Sequence, residues 1–160
     1  MQNKLESDIQ KIVKFLSSRV DSLEAIYLVG SFGRNEGSIL NYDGKSYVIN
    51  DYDLVILAKK NQNKEKIDFL RHELEKVLSV RHVDITSYIK KELKNMNFTM
   101  YSYDLKYASK TIFGSSNFLK LIPEMDRTKM PIFEAIRPLL LFPAALLLAY
   151  PKSKKMSDIE

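Results

Sequence analysis

The chain has 160 residues, 45% hydrophobic and 28% charged, which suits one soluble domain with a proper core and a short appendage. With no cysteine, disulfides and thiolate metal sites are excluded and a cytoplasmic protein is expected; two histidines, His72 and His82, leave little material for a histidine-rich zinc site. The net charge of +5 suits an anionic ligand such as a nucleotide or RNA, and suits plain solubility equally well.

In chain order, Leu5, Ile9, Ile12, Val13 and Leu16 recur at helical spacing and predict an amphipathic helix from Lys4 to Ser18. Ile26 to Val29 then reads as a short buried strand that feeds into a small-residue turn, Gly30-Ser31-Phe32-Gly33-Arg34. Asp43-Gly44, between Leu40–Tyr42 and Ser46–Val48, is a favoured two-residue hairpin turn. A second strand is predicted from Ile49 to Ala58, with Asp51 and Asp53 on one face and apolar residues on both faces further along. Ile67, Leu70, Leu74, Val77 and Leu78 predict a helix over Lys64–Ser79, and Val83-Asp84-Ile85 a third strand.

Beyond Ser87 the patterns weaken. A short helix is expected over Ile89–Met96, and Tyr101 to Phe113 reads as helical, with Thr111-Ile112-Phe113 equally able to form an edge strand. The run Leu139 to Ala149 is apolar but interrupted near Pro138 and Pro143, and it is too short to span a bilayer. It is expected to be a buried helix of a second, helical layer, and no membrane partner is expected. The fold class expected is α/β (α+β): a small mixed sheet flanked by helices over residues 1–100, then a mainly helical region over 101–160.

The chemistry concentrates in three carboxylates. Asp51 and Asp53 share a face, and two like charges held that close repel unless a cation or proton sits between them. If the strand carrying Asp84 is a neighbour, all three converge, which is the recurring way to hold magnesium or manganese beside a polyphosphate. Gly30 and Ser31 let backbone N–H groups and a hydroxyl approach phosphate oxygens, and Arg34 can add a charged fork.

Taken together, the apolar–Gly30-Ser31 turn, Asp51-Tyr52-Asp53-Leu54 and Val83-Asp84-Ile85 resemble, in order, the three signature elements of the nucleotidyltransferase fold of the polymerase β superfamily. The resemblance covers roughly residues 5–90. It implies an enzyme that moves NMP from an NTP to a hydroxyl acceptor on a small molecule, a protein or an RNA end, with Mg2+ or Mn2+. It also implies roles: Asp51 and Asp53 as ligands of both metals, Asp84 completing one site and helping to activate the acceptor, and Ser31 on the β- and γ-phosphates. The spacer between Ser31 and Asp51 is longer than that family's habit, so the Asp43-Gly44 hairpin is expected to lie over or beside the nucleotide. Relatives of this kind continue past the end of this sequence, so a truncated helical region is expected.

Simpler assignments stand beside these. Arg34 can pair with Glu36 or Asp43, His82 can be a surface residue or one behind a ligand, and Tyr101, Tyr103, Tyr107 and Phe113 can be packing. Rival functions are an antitoxin-like module that binds a helical partner, or pairs with itself, through Leu139–Ala149, and an RNA-binding regulator suggested by charge alone.

Overall fold

In a computed structural model, the residues described are 2–144 except 135, 138 and 142. The elements are α1 (Gln2–Ser17), β1 (Leu23–Val29), the single helical turn α2 (Gly30–Gly33), β2 (Ile39–Tyr42), β3 (Lys45–Val48), β4 (Tyr52–Ala58), α3 (Lys64–Leu78), β5 (Val83–Tyr88), α4 (Lys90–Lys94), α5 (Met100–Tyr107) and β6 (Lys110–Gly114). Two 3₁₀ turns follow, Ser116–Leu121 and Arg127–Lys129. The expected mixed sheet is present, in the order β5-β4-β1-β6. β1 is antiparallel to both its neighbours, and β4 is parallel to β5.

Burial follows from the alternation of strand side chains. Ile26 and Leu28 of β1, with Tyr52, Leu54 and Ile56 of β4, form one core with Ile12 and Leu16 of α1 and Leu70, Leu74 and Leu78 of α3. The intervening residues Ala25, Tyr27, Val55 and Leu57 are buried as well. Their side of the sheet is covered by later chain: the Tyr27 hydroxyl donates to the Ser115 carbonyl at 2.9 Å. A sheet buried on both faces explains why β1 and β4 are near-continuous apolar runs. In α3, Asn63 caps the first turn by accepting from the Lys66 N–H at 2.8 Å, and Ser79 ends the helix in the left-handed region.

Two sequence expectations are corrected. The strand expected from Ile49 begins at Tyr52, which leaves Asp51 exposed and just outside it. The reason is pairing: Val29, the last residue of β1, lies opposite Asp53, and β5 begins opposite Tyr52, so no ladder is available further back. The expected hairpin is present as β2–β3, which forms its own two-stranded sheet ahead of β4, with Asp43 and Gly44 both at positive φ, as a tight hairpin turn requires. Its neck is closed by Ile49 N–H to the Ser38 carbonyl at 3.0 Å and Ser38 N–H to Asn50 Oδ1 at 2.8 Å. The spacer leaves β1 and β4 in regular register from Ala25 opposite Leu57 to Val29 opposite Asp53.

Of the two readings of the end of Tyr101–Phe113 the edge strand holds: α5 ends at Tyr107, and Lys110–Gly114 pairs with β1 at the sheet edge as β6. The first compact unit takes in residues 1–97 and 101–124. The second unit takes in residues 98–100 and those from Met125 onward. Within it Asp126 caps the turn Arg127–Lys129, accepting from the Thr128 N–H at 3.0 Å. The described residues between 132 and 144 are helical, and Ile132, Phe133, Leu139, Leu140 and Leu141 are exposed, where burial was expected of the run from Leu139. The apolar stretch has no second layer to pack into among the described residues; the rest of the run, from Ala145, lies outside them. Among the described residues, no helix is long and apolar enough to cross a membrane.

Candidate active site

Register places the candidate residues. β1 ends at Val29 opposite Asp53, so the turn that follows, starting at Gly30, begins beside the Asp53 carboxylate. Asp84 is the direct partner of Asp53 on the parallel strand β5, so the two side chains leave the same face of the sheet. Gly30 has φ +63°, and a Cβ built on it would fall on the Asp53 carboxylate. Both the backbone angle and the space therefore demand glycine there.

Electrostatics report how close the group is. Burial, then the charges of Asp84 and Asp51, push the Asp53 carboxyl above its ordinary range, while His82 and Arg34 pull it back. The charges of Asp84 and Asp51 thus both bear on Asp53. Among the described residues, though, no three acidic or imidazole groups are drawn closely enough to hold a metal ion as they stand. Asp84 is turned toward His82, whose Nε2 lies 3.1 Å from its Oδ1. Asp51 stands exposed before the strand.

The phosphate-side residues divide. Ser31 uses its carbonyl to close the turn, accepting from the Glu36 and Gly37 N–H groups at 2.8 and 3.0 Å. Its hydroxyl makes no hydrogen bond among the described residues. Arg34 is engaged: Nε lies 2.8 Å from Glu36 and Nη1 2.6 Å from Asp104. To form a fork on a phosphate it must release one of these carboxylates.

Three positioning features go beyond the sequence reading. Asp8 is fully buried, with Lys4 Nζ 2.7 Å from Oδ1 and the Tyr52 hydroxyl donating to Oδ2 at 2.8 Å. The Tyr52 ring stacks at a tilt on Phe32, with centroids 4.8 Å apart. Tyr52 thereby clamps the chain between Asp51 and Asp53 to α1 and to the α2 turn. Burial, reinforced by Asp8, pushes its hydroxyl well above the usual range, so it stays a donor. A signal was present: Asp8 falls inside the apolar stripe of Leu5, Ile9 and Ile12. Second, Glu75 lies behind His82, with Oε1 3.4 Å from Nδ1 and accepting from the Val83 N–H at 3.3 Å. Third, the Tyr101 hydroxyl is held above its ordinary range, first by burial and then by its neighbours, Tyr88 and Asp53 among them.

No protein-family model and no curated protein matches this sequence. Solved structures do. One is a chain of the complex of a tri-AMPylated Shewanella oneidensis HEPN toxin with MNT antitoxin, at TM-score 0.52 and 17% identity, covering 96% of this chain and 97% of that one. This chain has the nucleotidyltransferase fold. A toxin–antitoxin complex with AMP-PNP matches at TM-score 0.52 and 17% identity, over 94% and 97% of the two chains. Spectinomycin adenyltransferase from Enterococcus faecialis, with ATP and spectinomycin, matches at TM-score 0.52 and 15% identity, over 86% of this chain and 63% of that one. The fold named from Gly30-Ser31, Asp51, Asp53 and Asp84 is therefore the fold present.

Proposed function

We propose that the chain is a magnesium-dependent nucleotidyltransferase that moves NMP from an NTP to a hydroxyl acceptor. The observation that carries this is the meeting of Gly30, Asp53 and Asp84 at one end of the sheet, where a glycine turn abuts two carboxylates in register. The donor set is made of hard carboxylate oxygens, and the Asp53 carboxyl is raised by its acidic neighbours, as expected of groups that a divalent cation would relieve. Asp51, Asp53 and Asp84 would hold magnesium, which when bound neutralises triphosphate charge and lowers the pKa of an attacking hydroxyl. The Gly30-Ser31 turn receives the β- and γ-phosphates through its N–H groups and the Ser31 hydroxyl, and Arg34 joins after leaving Glu36 or Asp104. Asp84 takes the acceptor's proton, with its carboxylate oriented by His82 and Glu75.

Calorimetric titration with ATP and magnesium tests this, on wild type and on Asp51→Asn/Asp53→Asn. Magnesium-dependent binding that the double variant loses is expected; none in wild type sinks the reading. A second reading has its own support. Toxin–antitoxin structures matching nearly end to end, and the exposed apolar residues Phe133 and Leu139–Leu141, favour an antitoxin-like module with a protein partner. Co-purification of a helical partner, lost on truncation after Pro131, distinguishes it.

A further inference from the structure

The hairpin β2–β3 is used by neither reading, and it encloses something. Between β3, the start of α1 and the turn after α3 lies a cleft of about 840 Å³, lined by Lys4, Lys45, Tyr47, Ile49 and Arg81 among others. No carboxylate is among its lining residues. Lys4 is neutralised by Asp8, but Lys45 and Arg81 have no ion pair among the described residues. Hairpin pairing sets Leu40 opposite Tyr47 and Tyr42 opposite Lys45, which puts two tyrosines, a leucine and a lysine on one face. All four are exposed, Tyr42 by 70% and Tyr47 by 46%. Uncompensated cations interleaved with aromatic faces are what a flexible phosphodiester strand needs: charge for its phosphates and flat surfaces for its bases. The cleft also adjoins the candidate active site, since Ile49 leads through Asn50 to Asp51, and Arg81 through His82 and Val83 to Asp84.

We propose that this cleft binds a single-stranded nucleic acid, with Lys45 and Arg81 on its phosphates and Tyr47 stacked on a base. The site stands whether or not the chain transfers nucleotides.

The probe is a fluorescent single-stranded RNA of about 12 nucleotides, within the span such surfaces cover. Its affinity is read by anisotropy across a salt series, with DNA of the same sequence as a second arm that identifies the sugar preferred. Lys45→Ala/Arg81→Ala is expected to weaken binding about 10- to 30-fold near 0.1 M salt and to reduce the salt slope by about 1.4, the share of two phosphate contacts. Tyr47→Ala is expected to weaken binding about tenfold and leave the slope unchanged, because stacking releases no counterions. A control pair outside the cleft, Lys59→Ala/Lys60→Ala, is expected to have little effect. All these side chains are exposed, so folding is retained and circular dichroism confirms it. Failure of both strands to bind overturns the proposal. So does equal weakening by the control pair, which would reduce the effect to net charge. Titration of the same samples with ATP and magnesium reports separately on the proposed activity, which the cleft variants are expected to retain.

Discussion

Replacing Tyr52 by Phe removes one oxygen and keeps the ring on Phe32. That oxygen donates to Asp8 Oδ2 at 2.8 Å, inside a carboxylate that is fully buried. Lys4 Nζ stays on the other oxygen at 2.7 Å, so the variant strands one charged acceptor without its partner. Hydrogen bonds to charged groups contribute about 1.5–3 kcal/mol, and a buried group left unsatisfied loses its solvation as well. We expect Tyr52→Phe to lower unfolding stability by about 2 kcal/mol, roughly 30-fold in the folding equilibrium. Urea denaturation measures it, as a lower midpoint at unchanged slope. A double-mutant cycle with Asp8→Ala then isolates the pair, with a coupling of at least about 1 kcal/mol expected. A single-variant effect within about 0.5 kcal/mol of wild type, or a cycle without coupling, would refute the clamp. The consequence reaches the candidate site, because Tyr52 is the residue between Asp51 and Asp53.

Asp53→Asn should stabilise the protein while removing magnesium-dependent nucleotide binding. The folded carboxyl sits above its ordinary range, so the native state holds the proton more tightly than the unfolded chain, and stability is lost as pH rises through the folded value. Thermal melts should therefore show the variant more stable near pH 7, with the gap closing as pH falls toward the ordinary carboxylate range. His82→Ala removes the group that holds Asp84 at 3.1 Å and should lower transfer or magnesium affinity about tenfold with the fold intact; an unchanged rate argues against a positioning role. Gly30→Ala places a Cβ on the Asp53 carboxylate at φ +63°, so stability should fall by at least about 1–2 kcal/mol and ATP binding should be lost, by denaturation and by titration.

Much of the candidate site was legible because its residues sit at the ends of locally patterned elements. Gly30-Ser31 closes an apolar run, and Asp84 alternates with Val83 and Ile85. What could not be read was anything that depends on a partner distant in sequence. Asp51 falls outside β4 because β1 has already turned away opposite Asp53, a limit written in another strand. Arg34 finds Asp104 from across the chain, and Asp8 has an apolar address and a purpose only once Tyr52 arrives. His82 lies beside Asp84 in sequence, yet its place behind that carboxylate needed Glu75, which α3 supplies.

By itself the sequence determined α1, β1, α3 and the Asp43-Gly44 hairpin, because helical and strand periodicity and turn chemistry are local properties of the chain. It also singled out Asp51, Asp53 and Asp84 as candidate metal ligands. Only the tertiary structure decided that β6 from beyond residue 100 joins the sheet, and that the long spacer stands apart as its own hairpin. It also decided that Asp53 lies between Gly30 and Asp84. Those outcomes rest on strand register and on which faces become buried, and both are set by contacts between segments that the local pattern cannot see.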